Sequence, residues 1–338
     1  MRVLLIKTSS MGDVIHTLPA VTEAARQVPG IRFDWVVEEG FAQIPSWHPA
    51  VDRVIPVAQR RWRRQLWRTV VSGEWARFRQ ALRARRYDLV IDAQGLLKSV
   101  WIARMARGKR CGLSKESARE PWVSWFYQQP CFVKKGQHAI TRVRQLFAAC
   151  LGYPTVDDEP DYGLRRPAAE QAAKEAYLVF LHGTAWTSKL WPESYWIELV
   201  AMANREGLAV HLPWGTQEEG ERARRIAAAG GRATVLERMD LEGMARVLSG
   251  ARGVVAVDTG LAHLSAALAI PSVTIYGAST PVLTGARGVV QTNLRADFPC
   301  SPCIQEVCAY EGPAEVEPAC YASLPPATVW DHLTTLMA

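Results

Sequence analysis

Residues able to do chemistry concentrate in a few short segments. The first is Lys7-Thr-Ser-Ser-Met-Gly-Asp-Val-Ile-His16, where a polar loop with one glycine follows an apolar run and opens a helix near Asp13. Free backbone N–H groups at a helix start favour negative charge, and Asp13 brings its own carboxylate there. The plain reading is a helix cap, a position Asp fills well; the sharper one is a general base held beside a ligand. One glycine is not the three of G-x-G-x-x-G, which counts against a nicotinamide-dependent dehydrogenase. The second segment, Arg60-Arg-Trp-Arg-Arg64, puts four guanidinium groups in five residues. Arginine pairs bidentately with phosphate and carboxylate. A solvated helix face is the ordinary reading of such a run. The large aromatics Trp62 and Trp67 beside it point instead to an interface with an anionic ligand or a membrane surface. The arginines of Glu74–Arg86 read as an exposed helix face.

Two further segments lie in the second half. His182-Gly-Thr-Ala-Trp-Thr-Ser-Lys-Leu-Trp191 leaves a strand and precedes a helix with proline at its start. Lys189 in it could meet a diphosphate as a point charge, although a loop lysine is ordinarily just solvated. Val257-Asp-Thr-Gly-Leu-Ala-His263 runs from a β-branched strand through Asp258, Thr259 and Gly260 into a small-residue helix. Gly260 lets a phosphate approach the helix N–H groups closely, and His263 falls in the first turn. Capping remains the plain reading of Asp258 and Thr259, and a satisfied structural imidazole that of His263.

The cysteines are less telling. Cys111, Cys131 and Cys150 look scattered, and an odd total of seven fits a reducing compartment better than a disulfide scaffold. Cys300, Cys303, Cys308 and Cys320 follow C-x2-C-x4-C-x11-C, which lacks the second CxxC pair of a zinc site. Loop cysteines or an adventitious disulfide are the expectation there, with no metal.

The elements that must position these segments repeat one pattern of strand, turn and helix. In the first half Val3–Lys7, Phe33–Glu39 and Asp88–Gln94 read as strands, with helices at about 13–26, 74–86 and 96–107. In the second, Tyr177–His182, Leu208–Leu212, Thr234–Leu236, Gly253–Val257 and Ser272–Tyr276 are strands, and helices lie near 192–206, 218–229, 241–251 and 261–268. Short apolar strands alternating with amphipathic helices predict parallel sheets covered on both faces. The Pro-, Gly- and acid-rich stretch Gly152–Gly163 reads as a linker. Two Rossmann-like domains, 1–163 and 164–338, are expected to face a central cleft, with ligands beyond the carboxyl ends of the strands.

Charge divides the same way. Residues 1–168 hold 28 Lys and Arg against 15 Asp and Glu, a net of +13; residues 169–338 hold 12 against 18, a net of −6. The first half therefore favours an anionic partner: nucleic acid, a phosphorylated substrate or an acidic membrane. No run approaches the roughly 18 apolar residues of a membrane span, since Leu261–Ala278 contains His263 and Pro271. The apolar run after Met1 is too short for a signal-peptide core, so a cytoplasmic protein is expected.

Met1–Ala20, Phe33–His48, Arg60–Arg63 and Val257–His263 together closely resemble the lipopolysaccharide heptosyltransferases of glycosyltransferase family 9, the branch that adds the first heptose, over about residues 1–290. The resemblance implies a GT-B fold and metal-free, inverting transfer. Heptose would pass from ADP-L-glycero-β-D-manno-heptose to the inner 3-deoxy-octulosonate (Kdo) of Kdo2-lipid A, with the protein peripheral on the inner face of the inner membrane. No cofactor and no nucleic acid are implied. Asp13 carries over as catalytic base. Thr184, Ala185, Lys189, Glu219, Met239, Asp258, Thr259, Gly260 and His263 carry over as donor contacts, and Arg60, Arg61, Arg63, Arg64 and Arg119 as acceptor contacts. At Ala185 the family often has a second threonine. Two rivals stand beside this reading. One is a sibling chemistry, either addition of the second heptose or ADP-sugar epimerisation, the latter disfavoured by the missing glycine fingerprint. The other is a non-catalytic binder of nucleic acid or anionic surfaces.

Overall fold

The computed structural model describes residues 1–164 and 175–338, apart from the side chains of residues 66, 68 and 70. It divides into two units, Met1–Arg165 and Arg166–Ala338. The first is built on β1 (Arg2–Ile6), β2 (Arg32–Glu38), β3 (Val51–Val57), β4 (Arg86–Asp92), β5 (Arg107–Leu113) and β6 (Gln129–Cys131), in the order β3-β2-β1-β4-β5-β6. The second is built on β7 (Tyr177–Leu181), β8 (Ala209–Leu212), β9 (Ala233–Val235), β10 (Gly253–Val257), β11 (Ser272–Tyr276) and β12 (Gln291–Arg295), in the order β12-β11-β10-β7-β8-β9. All pairings are parallel. Counted within its own unit, each sheet runs 3-2-1-4-5-6, the Rossmann order. Two such α/β units are what the GT-B class is made of, as expected.

The central strands explain themselves physically. Val3, Leu4, Leu5 and Ile6 of β1 are all fully buried, as are Val254–Val257 of β10. Helices on both faces cover every side chain, so these strands read as unbroken apolar runs rather than as alternation. In the first unit Leu4, Ile6 and Val90 pack against Trp62, Phe78 and Leu82. In the second, Phe180, Val255 and Ile275 pack with Trp191, Trp196 and Tyr321, and the last helix, Pro326–Met337, adds Val329 and Leu333.

Where the structure departs from the sequence reading, a local cause is visible. The single helix expected at 13–26 is two, Met11–Ile15 and Leu18–Gln27. Pro19, without an N–H, cannot continue the first helix but suits the first turn of the second. Strands β3, β5, β6 and β12 were not expected. Their sequences (VDRVIPV, RGKRCGL, QPC and QTNLR) carry charges, amides or proline because they lie at or next to a sheet edge. The linker stretch 152–163 is fastened to the first unit: Arg144 bonds the Asp158 carbonyl at 2.9 Å, Arg26 pairs with Asp161, and Tyr162 is buried.

Candidate active site

In a sheet of this order, loops leaving the first and fourth strands diverge, and the gap between them receives ligands. In the first unit these are the loops after β1 and β4, whose ends are in register, Ile6 opposite Asp92. Asp92 is completely buried and accepts from Gln94 N–H (3.0 Å), Gly95 N–H (3.1 Å), Ser99 Oγ (2.8 Å) and Tyr127 OH (2.9 Å). Burial raises its pKa against the pull of those donors. The turn needs φ of +65° at residue 95, a conformation glycine adopts without strain. So held, Gln94 Oε1 accepts from Thr8 N–H (3.0 Å) and Ser9 N–H (3.2 Å), fixing the loop that carries the candidate base.

Asp13 does two things at once. Its Oδ2 accepts from Ser10 N–H at 2.8 Å and from Ser10 Oγ at 2.9 Å, so it does cap the helix Met11–Ile15. Its Oδ1 lies 3.2 Å from Nζ of Lys7, and its side chain remains 40% exposed. Desolvation works against ionisation of this carboxyl, but the Lys7 cation and the Ser10 donors outweigh it and hold the pKa below the ordinary carboxylate value. A carboxylate that stays ionised and partly open can accept a proton. Lys7, Asp92, Gln94 and Lys98, which reaches Ser9 Oγ at 3.3 Å, were not singled out from sequence. The signal for Asp92 was an acid at the end of a buried strand; Gln94 and Lys98 become visible only through the β1–β4 register.

The second unit repeats the arrangement around the loops after β7 and β10. Asp258, directly after β10, binds Lys189 Nζ at 2.7 Å and Ser279 Oγ at 2.6 Å through Oδ2, and its carbonyl accepts from Thr184 Oγ1 at 3.0 Å. His263 is buried with Nε2 4.0 Å from Asp258 Oδ1. Thr259 is the N-cap of the helix Gly260–Ala267 and makes no side-chain cap bond. The structure therefore brings Thr184, Lys189, Asp258, Thr259, Gly260 and His263 together. Lys189 also lies 4.3 Å from the centre of the Trp186 ring. The Thr187–Lys189 turn hangs from a distant stretch of chain: Ser188 N–H and Thr187 Oγ1 both donate to the Glu306 carbonyl at 3.2 Å.

Glu219 and Met239 follow β8 and β9 at the same sheet edge. The Glu219 carboxylate accepts from Gly215 N–H (2.8 Å) and Thr216 N–H (3.2 Å), capping its own helix. It also lies against Gly183, where a Cβ would come 2.5 Å from Oε1, so only glycine allows that approach. Ala185 is exposed and offers no hydroxyl.

The arginine segment divides by role. Arg61 is spent on two carboxylates, Glu39 (3.1 and 3.0 Å) and Glu74 (3.1 Å), whose hydrogen bonds raise its pKa. Trp62, read from sequence as an interface residue, is a core residue: 8% exposed, edge-on to Trp75 and Phe78, its Nε1 donating to Glu74 at 2.8 Å. Arg60 and Arg63 instead line a pocket of about 530 Å³ whose walls include Trp75, Trp101, Ile102 and Met105, together with Lys98 and Ser9. Arg64 is exposed on the same helix. Arg119 is exposed beside Glu120, whose carboxylate caps the helix Leu97–Met105 through Leu97 N–H at 2.7 Å.

The cysteines correct another expectation. Cys111, Cys131 and Cys150 are neighbours: Cys111 and Cys150 form a disulfide, and the Cys131 Sγ lies 3.5 and 3.9 Å from their sulfurs. Residues on β5, β6 and a helix are distant in sequence but adjacent in this layer. Among the described residues this trio is the one group of three metal-capable side chains whose ligand atoms lie within 4.8 Å of one another. Two of its sulfurs are bonded to each other. Cys300, Cys303, Cys308 and Cys320 are free thiols.

Known proteins match this chain closely. A family model described as glycosyltransferase family 9 (heptosyltransferase) matches residues 75–313. A Pseudomonas aeruginosa protein named lipopolysaccharide heptosyltransferase 1 is 54% identical over 348 residues, covering 100% of this chain and 98% of that one. The structure titled E. coli heptosyltransferase WaaC with ADP superposes with a TM-score of 0.84 at 51% identity, covering 88% of this chain and 94% of that chain. The same enzyme with ADP-2-deoxy-2-fluoro heptose gives a TM-score of 0.81 at 50% identity over the same shares. The chain belongs to glycosyltransferase family 9, the heptosyltransferases.

Proposed function

We propose that this protein transfers heptose from ADP-L-glycero-β-D-manno-heptose, with inversion, to the inner Kdo of Kdo2-lipid A, working as a peripheral protein at the inner face of the inner membrane. The observation that carries the reading is the full-length 54% identity to a lipopolysaccharide heptosyltransferase 1. Solved relatives titled with ADP and a fluoro-heptose analogue support the donor. Among the described residues no helix is long and apolar enough to cross a membrane, which is compatible with lateral attachment.

In the reaction Asp13 accepts the proton of a Kdo hydroxyl. The freed oxygen forms a bond to the anomeric carbon of heptose as that carbon's bond to the β-phosphate oxygen breaks, and the electron pair leaves with ADP. Lys189 and the N–H groups at the Thr259–Gly260 helix start meet the charge that develops there. Donors fixed in place before the charge develops usually supply the greater part of an enzyme's rate enhancement. Asp258, 2.7 Å from Lys189 Nζ, fixes that lysine beside the helix start. Arg60 and Arg63, which line the pocket, are the acceptor-side cations open to phosphate and carboxylate, with Arg64 on the same helix and Arg119 at the surface next to Glu120; Arg61 orients the segment through Glu39 and Glu74.

The deciding experiment is a panel of nucleotide sugars offered with Kdo2-lipid A and read by mass spectrometry. One heptose added from ADP-heptose alone is expected. Transfer only onto an acceptor that already bears heptose would assign the second-heptose reaction instead, and no transfer at all would overturn the enzyme reading.

A further inference from the structure

One exposed aromatic surface on the first unit has no part in the donor or base chemistry. Trp101, on the helix Leu97–Met105, is 63% exposed; Trp122 and Trp125, on the 3₁₀ helix Pro121–Phe126, are 59% and 70% exposed. The two helices pack on each other. Arg104 bridges them, its guanidinium 5.7 Å from the Trp101 ring centre and 5.2 Å from that of Phe126. Trp122 and Trp125 meet edge-on at 5.6 Å. Three indoles and an arginine thus share one surface, while Trp35 and Trp62 of the same unit are buried. An exposed patch of this kind marks a binding surface. It is also continuous with the site, since Trp101 lines the pocket that Ser9, Arg60 and Arg63 line.

We propose that this Trp101–Trp122–Trp125 surface seats the protein on an anionic phospholipid bilayer, keeping the adjoining pocket at the depth where a lipid-borne acceptor displays its sugar. The proposal rests on the acceptor reading above and names the surface that serves it. Indole rings settle at the headgroup level, apolar body inward and N–H toward water. Arg104, stacked on two rings, keeps its charge at the same level while its stem covers apolar surface. The net +13 of residues 1–168 complements an anionic leaflet, where basic residues near the surface contribute roughly 1 kcal/mol each. The same charge opposes a second copy of this chain as the occupant, because it would set two cationic faces together.

The test uses the full chain with vesicles of phosphatidylcholine alone or with about 30% phosphatidylglycerol. Wild type is expected to co-sediment at least about tenfold more strongly with the anionic vesicles. The variant W122E/W125E is expected to lose at least about tenfold of that binding, while its rate on a deacylated, water-soluble Kdo acceptor and its melting point stay near wild type. Vesicle binding equal to wild type in this variant would overturn the proposal. So would a wild type that binds neither vesicle, or a wild-type dimer in sedimentation velocity that the variant dissociates. An equal loss of rate on the soluble acceptor would also overturn it, assigning the indoles to sugar binding or to the fold. Failure of the acceptor reading is seen separately, as absence of wild-type turnover on the soluble acceptor whatever the vesicles report.

Discussion

Replacing Asp13 by asparagine separates the helix cap its carboxylate makes from the base role proposed for it. The amide oxygen can still accept from Ser10 N–H, where the carboxylate sits at 2.8 Å, and Asn caps helices about as well as Asp. What is lost is the proton acceptor and the 3.2 Å contact with Lys7. That contact joins a 40% exposed carboxylate to a buried ammonium which keeps a 3.3 Å bond to the Ala93 carbonyl. Its cost therefore lies between an exposed and a buried pair, roughly 1–2 kcal/mol, or a melting point lower by several degrees at most. Loss of a general base costs about 10²–10⁴ in kcat, which is about 3–5 kcal/mol. Catalysis should thus fall by far more than stability. ADP release at saturating donor and acceptor, beside a thermal melt, measures both. A kcat within about tenfold of wild type would remove Asp13 from the base role and leave it as a cap. Asp13→Ala, which also forfeits the cap, should melt lower than Asp13→Asn with a similar kcat.

Other outcomes follow from the same geometry. The Lys7 cation helps lower the Asp13 pKa, so Lys7→Met should raise it and move the acid limb of kcat/KM to higher pH; an unmoved limb would break the link between the two residues. Arg60→Glu with Arg63→Glu should raise acceptor KM several-fold with donor KM unchanged, whereas Arg61→Glu, facing Glu39 and Glu74, should instead lower the melting point. His48 accepts from Ala50 N–H through Nδ1 and contacts Thr22 Oγ1 through Nε2, and burial lowers its pKa from 6.5 to about 4. The unfolded chain then binds the extra proton, so this stabilisation is full above pH 6.5 and is lost as pH falls toward 4, by at most about 3 kcal/mol. Melts at pH 7.5 and 4.5 should differ less in His48→Gln than in wild type.

What the sequence made legible was set by burial. Strands such as β1, β7 and β10 are covered on both faces and announce themselves as apolar runs, and the loops after them carry Asp13, Lys189 and Asp258. The edge strands β3, β6 and β12 lack that pressure and read as loops. Pairing was the other blind spot. Lys7 and Asp13 stand six residues apart across a turn, Lys189 and Asp258 stand 69 residues apart, and neither pair follows from spacing. The arginine run read as uniform because sequence cannot show Glu39 and Glu74 claiming Arg61 while Trp62 turns inward. Cys111, Cys131 and Cys150 looked unrelated because the register of β5 and β6 is what joins them.

The suspension of the Thr187–Lys189 turn from the Glu306 carbonyl has a consequence for how such enzymes diverge. The lysine that would greet the departing diphosphate is anchored by residues more than a hundred positions downstream, in a stretch of irregular backbone. An insertion or deletion there can shift the lysine by fractions of an ångström without altering any side chain around it. The proposed leaving-group contact is thereby open to adjustment from an irregular stretch of backbone, the kind of segment in which changes in length are generally tolerated.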